Sequence, residues 1–285
     1  MRSPARIALW LLLPALALLA LAYVLPMAEV VRIAFNEPSS IGVTNGPFSL
    51  EPLVQAVTDP FYWGVIVRTA AMGLVTALLT TVVAYPIALL ITVAGPRARG
   101  LLLLLAIAPM LTSSVARSFG WVVVLSNQGL VNTVLTGLGM ERPLQMIGTM
   151  GAIVIALAEI FLPYAVLGMV SGFGRISPTL EDAARTLGAR PLAVFRTVTL
   201  PLSMPGVIVS LILVFVLSIS SYVTPRILGG GQVFVLGTEI FDEAKVTLNW
   251  PLAASLSLAL LVLFVAFTGV STLIRRRSLY SGEVR

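Results

Sequence analysis

The chain has 285 residues, of which 58% are hydrophobic and only 11% are charged, and its mean hydropathy is +1.01. Roughly a quarter of the residues of a soluble domain carry charge, so this composition is that of an integral membrane protein. The sequence contains no histidine and no cysteine, which excludes histidine-dependent metal sites, Ser-His and Cys-His nucleophiles, and disulfides. Its one lysine, Lys245, follows Ala244, so a Gly-Lys-Ser/Thr phosphate loop is excluded as well.

Apolar runs long enough to cross a bilayer recur along the chain, since one crossing takes about 20 residues. The first run follows Arg2 and Arg6 and is too long for a cleaved signal peptide, so it is predicted to be a retained helix. We predict an all-α integral membrane protein with one permease-like domain over residues 1–285. Its six transmembrane helices are predicted at about 7–28, 69–94, 101–125, 146–170, 206–222 and 252–274.

The basic residues predict the orientation of these helices, because cytoplasmic segments carry an excess of arginine and lysine. With the N-terminus in the cytoplasm, 12 of the 18 basic residues lie inside, 3 lie outside, and 3 lie within or at the ends of spans. Both termini are therefore predicted to be cytoplasmic. The sequence pI of about 10.3 is then explained by anionic membrane lipid on the inner face, and no nucleic-acid partner is expected.

The longest predicted inner segment contains the signals of a short amphipathic helix. A hydroxyl N-cap candidate at Ser177 precedes Pro178 and two acidic residues. An apolar stripe with the spacing i, i+3, i+4, i+7 comes next; it consists of Leu180, Ala183, Ala184 and Leu187. Such a helix either lies on its own bundle or in the lipid interface, or it seats in a groove of a partner protein.

Residues beyond this stripe predict the end of the helix and the start of the next one. Gly188 suits the position just past the helix, and Pro191 can open a second short helix. Pro201 and Pro205 are expected to interrupt the chain before the fifth span.

The stretch from Asp182 to Pro201 resembles the coupling motif of permease subunits in ATP-binding-cassette importers, which reads Glu-Ala-Ala, three residues, Gly, nine residues, Ile-x-Leu-Pro. The spacing matches throughout, with Asp182 in place of the usual Glu and Val198 in place of the usual Ile. The matching residues are Asp182, Ala183, Ala184, Gly188, Val198, Leu200 and Pro201. The resemblance implies that residues 174–203 form a cytoplasmic coupling segment that docks into an ATPase subunit.

Further stretches resemble the first permease of spermidine/putrescine-type importers and extend the match over most of the chain. They are residues 48–52, 59–63, 84–88, 108–113, 117–121, 129–132, 222–225, 228–231 and 249–251. The resemblance implies a type I importer permease in the bacterial cytoplasmic (inner) membrane, with no ATPase site and no cofactor of its own. The implied partners are two ATPase subunits that bind ATP and Mg²⁺, a second and different permease, and an external or periplasmic solute-binding protein.

The resemblance leaves the substrate open. Polyamine-type members often carry acidic residues beside the Val-Thr-Pro segment, where this sequence has Ser221 and Arg226. The same subfamily includes importers of opines, phosphonates and other small organic solutes. Polyamine-like, opine-like and related small organic solutes are therefore all candidates.

Two charges fall deep within predicted spans: Arg117 in the third and Glu159 in the fourth. A central charge costs on the order of 2.5 to 3.5 kcal/mol on insertion scales unless it meets water or a partner, so an Arg117–Glu159 ion pair is expected. Ser113, Arg117 and Trp121 are four residues apart and are predicted to share one helix face. This group either forms a structural or gating pair or contacts the substrate directly.

Hydroxyl side chains near the outer end of the fifth span form a second candidate for the substrate pathway or gate. Ser218, Ser221 and Thr224 cluster there, and hydroxyls in hydrocarbon need hydrogen-bond partners. Ser210, by contrast, is expected to join helices.

The residues support one alternative class, a self-sufficient ion-coupled secondary transporter built from its own repeats. Such a carrier has no need of a helix shaped for an ATPase. The coupling segment therefore favours the ATP-driven importer.

Overall fold

The computed structural model describes residues 4–38, 46–175 and 178–280. Its α-helices are α1 (Pro4–Leu19), α2 (Leu25–Ala34), α3 (Glu51–Thr58), α4 (Pro60–Val93), α5 (Pro96–Ile107), α6 (Ser114–Leu125), α7 (Leu130–Gly137), α8 (Met150–Gly172), α9 (Pro178–Thr186), α10 (Pro191–Val194), α11 (Leu200–Ile219), α12 (Val223–Leu228), α13 (Leu236–Lys245) and α14 (Trp250–Tyr280). Two π-helical segments, Ala20–Val24 and Phe195–Thr199, and two 3₁₀ turns, Ala108–Leu111 and Phe173–Arg175, lie between them.

Five helical stretches in the described part of the chain are long and apolar enough to cross a membrane. They are Leu12–Ala34, Pro60–Val93, Met150–Gly172, Pro191–Ile219 and Trp250–Thr272, and a sixth crossing is possible if the bent pair Pro96–Leu111 and Ser114–Gly137 counts as one span. The predicted all-α membrane fold is therefore confirmed.

The chain forms two compact bodies, and the smaller consists of Met1–Gly64 and Glu239–Leu261. Within it the Tyr62 hydroxyl donates a 2.8 Å hydrogen bond to Glu243 Oε1. The Ser255 hydroxyl donates to the carbonyl of Ala34 at 3.4 Å. Both bonds join segments that are distant in sequence. Tyr62 and Ser255 are buried, and buried polar groups need hydrogen-bond partners inside the protein.

The larger body consists of Val65–Thr238 and Val262–Arg285, and close packing of α8 against α11 runs through it. A Cβ on Gly172 would lie 2.4 Å from Gly206 Cα, so the two backbones touch where both helices carry glycine. One turn away, the buried Ser210 hydroxyl donates a 2.7 Å hydrogen bond to the carbonyl of Ala165. Ser210 thus joins helices, as expected.

The third predicted span, 101–125, differs from a single continuous helix. The chain bends by 91° between Pro96–Leu111 and Ser114–Gly137. Pro109 has no N–H for a helical hydrogen bond, a 3₁₀ turn forms around it, and Thr112 and Ser113 are extended. The 12 residues of α5 extend about 18 Å, which is less than the hydrocarbon thickness of about 30 Å.

The helix before the fifth span is continuous, contrary to the interruption expected at Pro201 and Pro205. Helical structure runs from Pro191 to Ile219 through both prolines. The π-helical segment Phe195–Thr199 immediately precedes Leu200 and Pro201. Thr197, whose carbonyl the ring of Pro201 would meet in a regular α-helix, lies within this segment, and its wider turns let the helix continue through Pro201.

Candidate functional site

Helix α9 ends in a glycine turn that fixes the length of the predicted coupling helix. Gly188 has φ +85°, a left-handed conformation that glycine adopts without steric cost. The Gly188 N–H bonds the carbonyl of Arg185 at 2.9 Å, and the Ala189 N–H bonds that of Ala184 at 3.1 Å. This is the Schellman pattern, which satisfies the last carbonyls of a helix. Ser177, the expected N-cap, lies outside the described residues.

The apolar stripe of α9 is largely uncovered by this chain. Leu180 is 48% exposed and Leu187 is 89% exposed. Ala183 is exposed too, and Ala184 is half-buried. Asp182 also lies exposed on α9, whereas Val198 and Leu200 are partly buried and Pro201 is exposed near the start of α11. Small and apolar side chains are thus open to a partner on one face of α9.

A hydrogen bond ties α9 to the helix that enters the membrane. The Thr199 hydroxyl donates to Glu181 Oε1 at 2.7 Å, and Thr199 is only 4% exposed. Thr199 is the last residue of the π-helical segment, directly before α11. Thr199 is not predicted as a functional residue from the sequence, because nothing in its local pattern indicates a partner 18 residues away.

Contacts continue from α11 to α4. The hydroxyls of Tyr85 and Ser203 are 3.0 Å apart. The Tyr85 ring also meets the rings of Phe173 and Phe195 edge-on, with centroids 5.5 and 6.0 Å away. The start of α11 is therefore packed against α4 through one partly buried polar and aromatic cluster.

The structure brings Arg117, Trp121 and Glu159 together. Arg117 Nη1 lies 3.2 Å from Glu159 Oε1, and Trp121 Nε1 donates to Glu159 Oε2 at 3.2 Å. Arg117 Nη2 also donates to the carbonyl of Ile160. The side chains of Arg117 and Glu159 are 12% and 36% exposed, so the expected ion pair is present and the carboxylate is the more accessible partner.

Among the described residues, no side-chain hydrogen bond joins the remaining pathway candidates to one another, although the Ser221 N–H bonds the carbonyl of Ser218 at 3.1 Å. Ser113 is the N-cap of α6, and its carbonyl accepts a 3.1 Å hydrogen bond from the Arg117 N–H, so it lies one turn before Arg117 at the start of the helix. The Ser218 hydroxyl is used within its own helix, on the carbonyl of Val214 at 2.7 Å. Ser221 is half-buried.

Thr224 pairs with a residue that sequence reasoning missed. Its hydroxyl lies 2.9 Å from that of Ser118, and both residues are buried. Ser118 also donates to the carbonyl of Ser114. The position of Ser118 beside Arg117 in an apolar segment could have indicated its role, because a hydroxyl in such a segment needs a hydrogen-bond partner.

A family comparison now gives the class of protein. Residues 84–280 match the family model of the binding-protein-dependent transport system inner membrane component. The chain belongs to this family. It is a multi-pass inner membrane permease subunit of an ATP-binding-cassette importer, which confirms the resemblance noted in the sequence.

Two of the relatives of this chain are permease proteins named for spermidine and putrescine transport. The chain is 30% identical over 240 residues to the spermidine/putrescine transport system permease protein PotB of Haemophilus influenzae, covering 84% of each chain. It is 29% identical over 239 residues to the PotB protein of Escherichia coli, covering 84% of this chain and 86% of that one.

Solved structures share the fold. A chain of a bacterial alginate ABC transporter, in complex with an alginate-pentasaccharide-bound periplasmic protein, superposes with a TM-score of 0.73 at 16% identity, covering 95% of this chain and 94% of that one. A chain of the MetNI methionine ABC transporter in an inward-facing conformation superposes with a TM-score of 0.58 at 19% identity, covering 78% of this chain and 99% of that one. At these identities the likeness concerns the fold alone.

Proposed function

We propose that this chain forms half of the translocation pathway of an ATP-driven importer and couples that pathway to a separate ATPase subunit through residues 174–203. The observation that carries the proposal is the uncovered stripe of α9, which the Schellman turn ends at Gly188. An amphipathic helix with open apolar and small residues is suited to a groove in a partner. ATP and Mg²⁺ are then handled by two ATPase subunits, and a second permease and an external binding protein complete the complex.

The transported solute is a small organic molecule, with polyamine-like and opine-like compounds as the candidates. The relatives named for spermidine and putrescine support the first. Ser221 and Arg226, where polyamine-type members often carry acidic residues, argue against a cationic polyamine.

Reconstitution tests the proposed function. Proteoliposomes would hold this chain, the ATPase, the second permease and the binding protein encoded with it, and uptake of labelled spermidine and octopine would be measured. We expect uptake of one of them only with ATP and the full complex. Uptake by this chain alone, driven by an ion gradient, would contradict the proposal and favour the secondary transporter.

Both termini lie in the cytoplasm in this proposal, and the absence of cysteine makes the orientation easy to measure. A cysteine introduced at Ala98, near the start of α5, should be protected from a membrane-impermeant maleimide in intact cells, whereas one at Gln128, after α6, should react. Both positions are exposed. The opposite labelling pattern would reverse the orientation and place α9 on the wrong side for an ATPase.

The bond between Thr199 and Glu181 is expected to set the efficiency of coupling. Thr199→Val keeps the shape of the side chain and loses the donor, so α9 can move without moving α11. A hydrogen bond to a charged group contributes about 1.5–3 kcal/mol, so we expect about a tenfold lower ratio of solute transported to ATP hydrolysed, with normal assembly.

Thr197→Val is the matched control, because Thr197 lies in the same π-helical segment and donates to the carbonyl of Ala193 on its own helix. Thr199→Ser should restore the ratio. An unchanged ratio in Thr199→Val would remove the coupling role of this bond.

A further inference from the structure

A cavity of about 520 Å³ opens at one end of the larger body. Three loops form it: the one after α6, the one before α8 and the one after α12. Its polar lining comes from Ser126, Asn127, Gln128, Gln145 and Gln232. A volume in this range is typical of sites for small organic ligands.

The walls of the cavity are held by a buried asparagine. Asn132 is 1% exposed, and its Nδ2 donates to the carbonyls of Ser126 and Leu144, each at 3.0 Å. Its Oδ1 accepts from the N–H of Leu144 at 2.8 Å. One side chain therefore fixes the loop after α6 against the loop before α8.

Two glycines, one in each loop, allow the loop after α12 to approach the loop before α8. Gly148 has φ +83°, and its N–H bonds the carbonyl of Leu228 at 2.8 Å. A Cβ on Gly148 would lie 2.8 Å from Gln232 Oε1, so any larger residue would displace that carboxamide. Gly230, with φ +54°, also lines the cavity. The position of the Gln232 carboxamide in the cavity thus depends on the absence of a side chain at Gly148.

The chemistry of the lining is uniform. Asn127, Gln128, Gln145 and Gln232 are exposed in the cavity, and each carboxamide offers two N–H donors and one carbonyl acceptor. None of the described residues that line the cavity is charged. Carboxamides pair with ligand groups that both donate and accept, whereas an ammonium group that leaves water is best compensated by a carboxylate.

We propose that this cavity binds an organic solute that presents hydroxyl or carboxamide groups and carries no net positive charge. In the proposed orientation the cavity lies on the outer side, where a solute would arrive. That the ligand is the transported solute rests on the proposed function, but binding in the cavity can be measured without transport.

The experiment uses the complex of permease and ATPase subunits in lipid nanodiscs, with sorbitol as the uncharged probe and spermidine as the cationic one. Saturation-transfer NMR is expected to show saturable sorbitol binding. The double variant Gln145→Leu/Gln232→Leu removes two carboxamides and should weaken binding by about fivefold or more, since each hydrogen bond contributes about 0.5–1.5 kcal/mol and about 1.4 kcal/mol is tenfold. Gln55→Leu, on α3 and outside the cavity, should leave it unchanged.

Three results would overturn the proposal: no saturable sorbitol binding to the unmodified complex, equal binding by the double variant, or displacement of sorbitol by spermidine at equal concentration. Uptake assays in proteoliposomes separate this inference from the proposed function. Sorbitol binding that the double variant loses, in a complex that shows no ATP-dependent uptake, would support the cavity and reject the importer.

Discussion

Replacing Ala184 by aspartate is expected to abolish both ATP-dependent transport and the assembly of this chain with its ATPase, while membrane insertion stays normal. Ala184 belongs to the uncovered stripe of α9, beside the exposed Leu180 and Leu187. A carboxylate there would be buried in the proposed interface without a partner. An uncompensated buried charge costs about 3 kcal/mol or more, which corresponds to a loss of over about a hundredfold in affinity.

Co-purification of the tagged permease with its ATPase, together with uptake in proteoliposomes, measures this effect. Ala98→Asp is the matched control, because Ala98 is exposed at the start of α5, outside the coupling segment, where a negative charge near a helix N-terminus is tolerated. Normal ATPase recovery with Ala184→Asp would show that α9 docks elsewhere or not at all.

The second large effect concerns the ion pair inside the membrane. Arg117→Ala is expected to lower the free energy of unfolding by about 2 kcal/mol, because it leaves the Glu159 carboxylate with only Trp121 as a described hydrogen-bond donor. Arg117→Ala/Glu159→Ala should recover part of that loss. Thermal unfolding in detergent, followed by tryptophan fluorescence, measures both variants.

Arg32→Ala supplies the comparison, since Arg32 pairs with Glu29 three residues away and both side chains are about half exposed. Solvent-exposed ion pairs contribute little to stability, so this variant should unfold nearly as the unmodified protein does. If the losses from Arg117→Ala and Glu159→Ala simply added in the double variant, the two residues would not be energetically coupled.

Structural features could be predicted from the sequence where a strong physical penalty acts on a few residues. Arg117 and Glu159 were expected to pair because hydrocarbon gives a lone charge no other partner nearby. Gly188 was expected to end α9 because glycine after an amphipathic run has one common role. The all-α membrane fold followed from composition in the same way.

The sequence failed where the outcome depends on local geometry or on segments distant in the chain. Pro109 bends the third span, whereas the helix continues through Pro201, next to a π-helical segment, and through Pro205, and the residue type alone does not predict the difference. Ser113 consequently lies at the start of α6 as its N-cap rather than inside a continuous third span. Asn132 organises two loops through backbone carbonyls that no pattern in the sequence identifies.

The turn at Gly188 constrains the backbone conformation of the residue at this position rather than the size of its side chain. A Cβ at this position would meet no described atom within 4 Å, so there is room for a side chain, but φ +85° disfavours those of L-amino acids. A D-alanine introduced at position 188 by chemical ligation would have the preferred backbone angle and would restrict the unfolded chain more than glycine does. The constraint at position 188 is thus one of backbone conformation, which a D-residue meets and an L-residue disfavours.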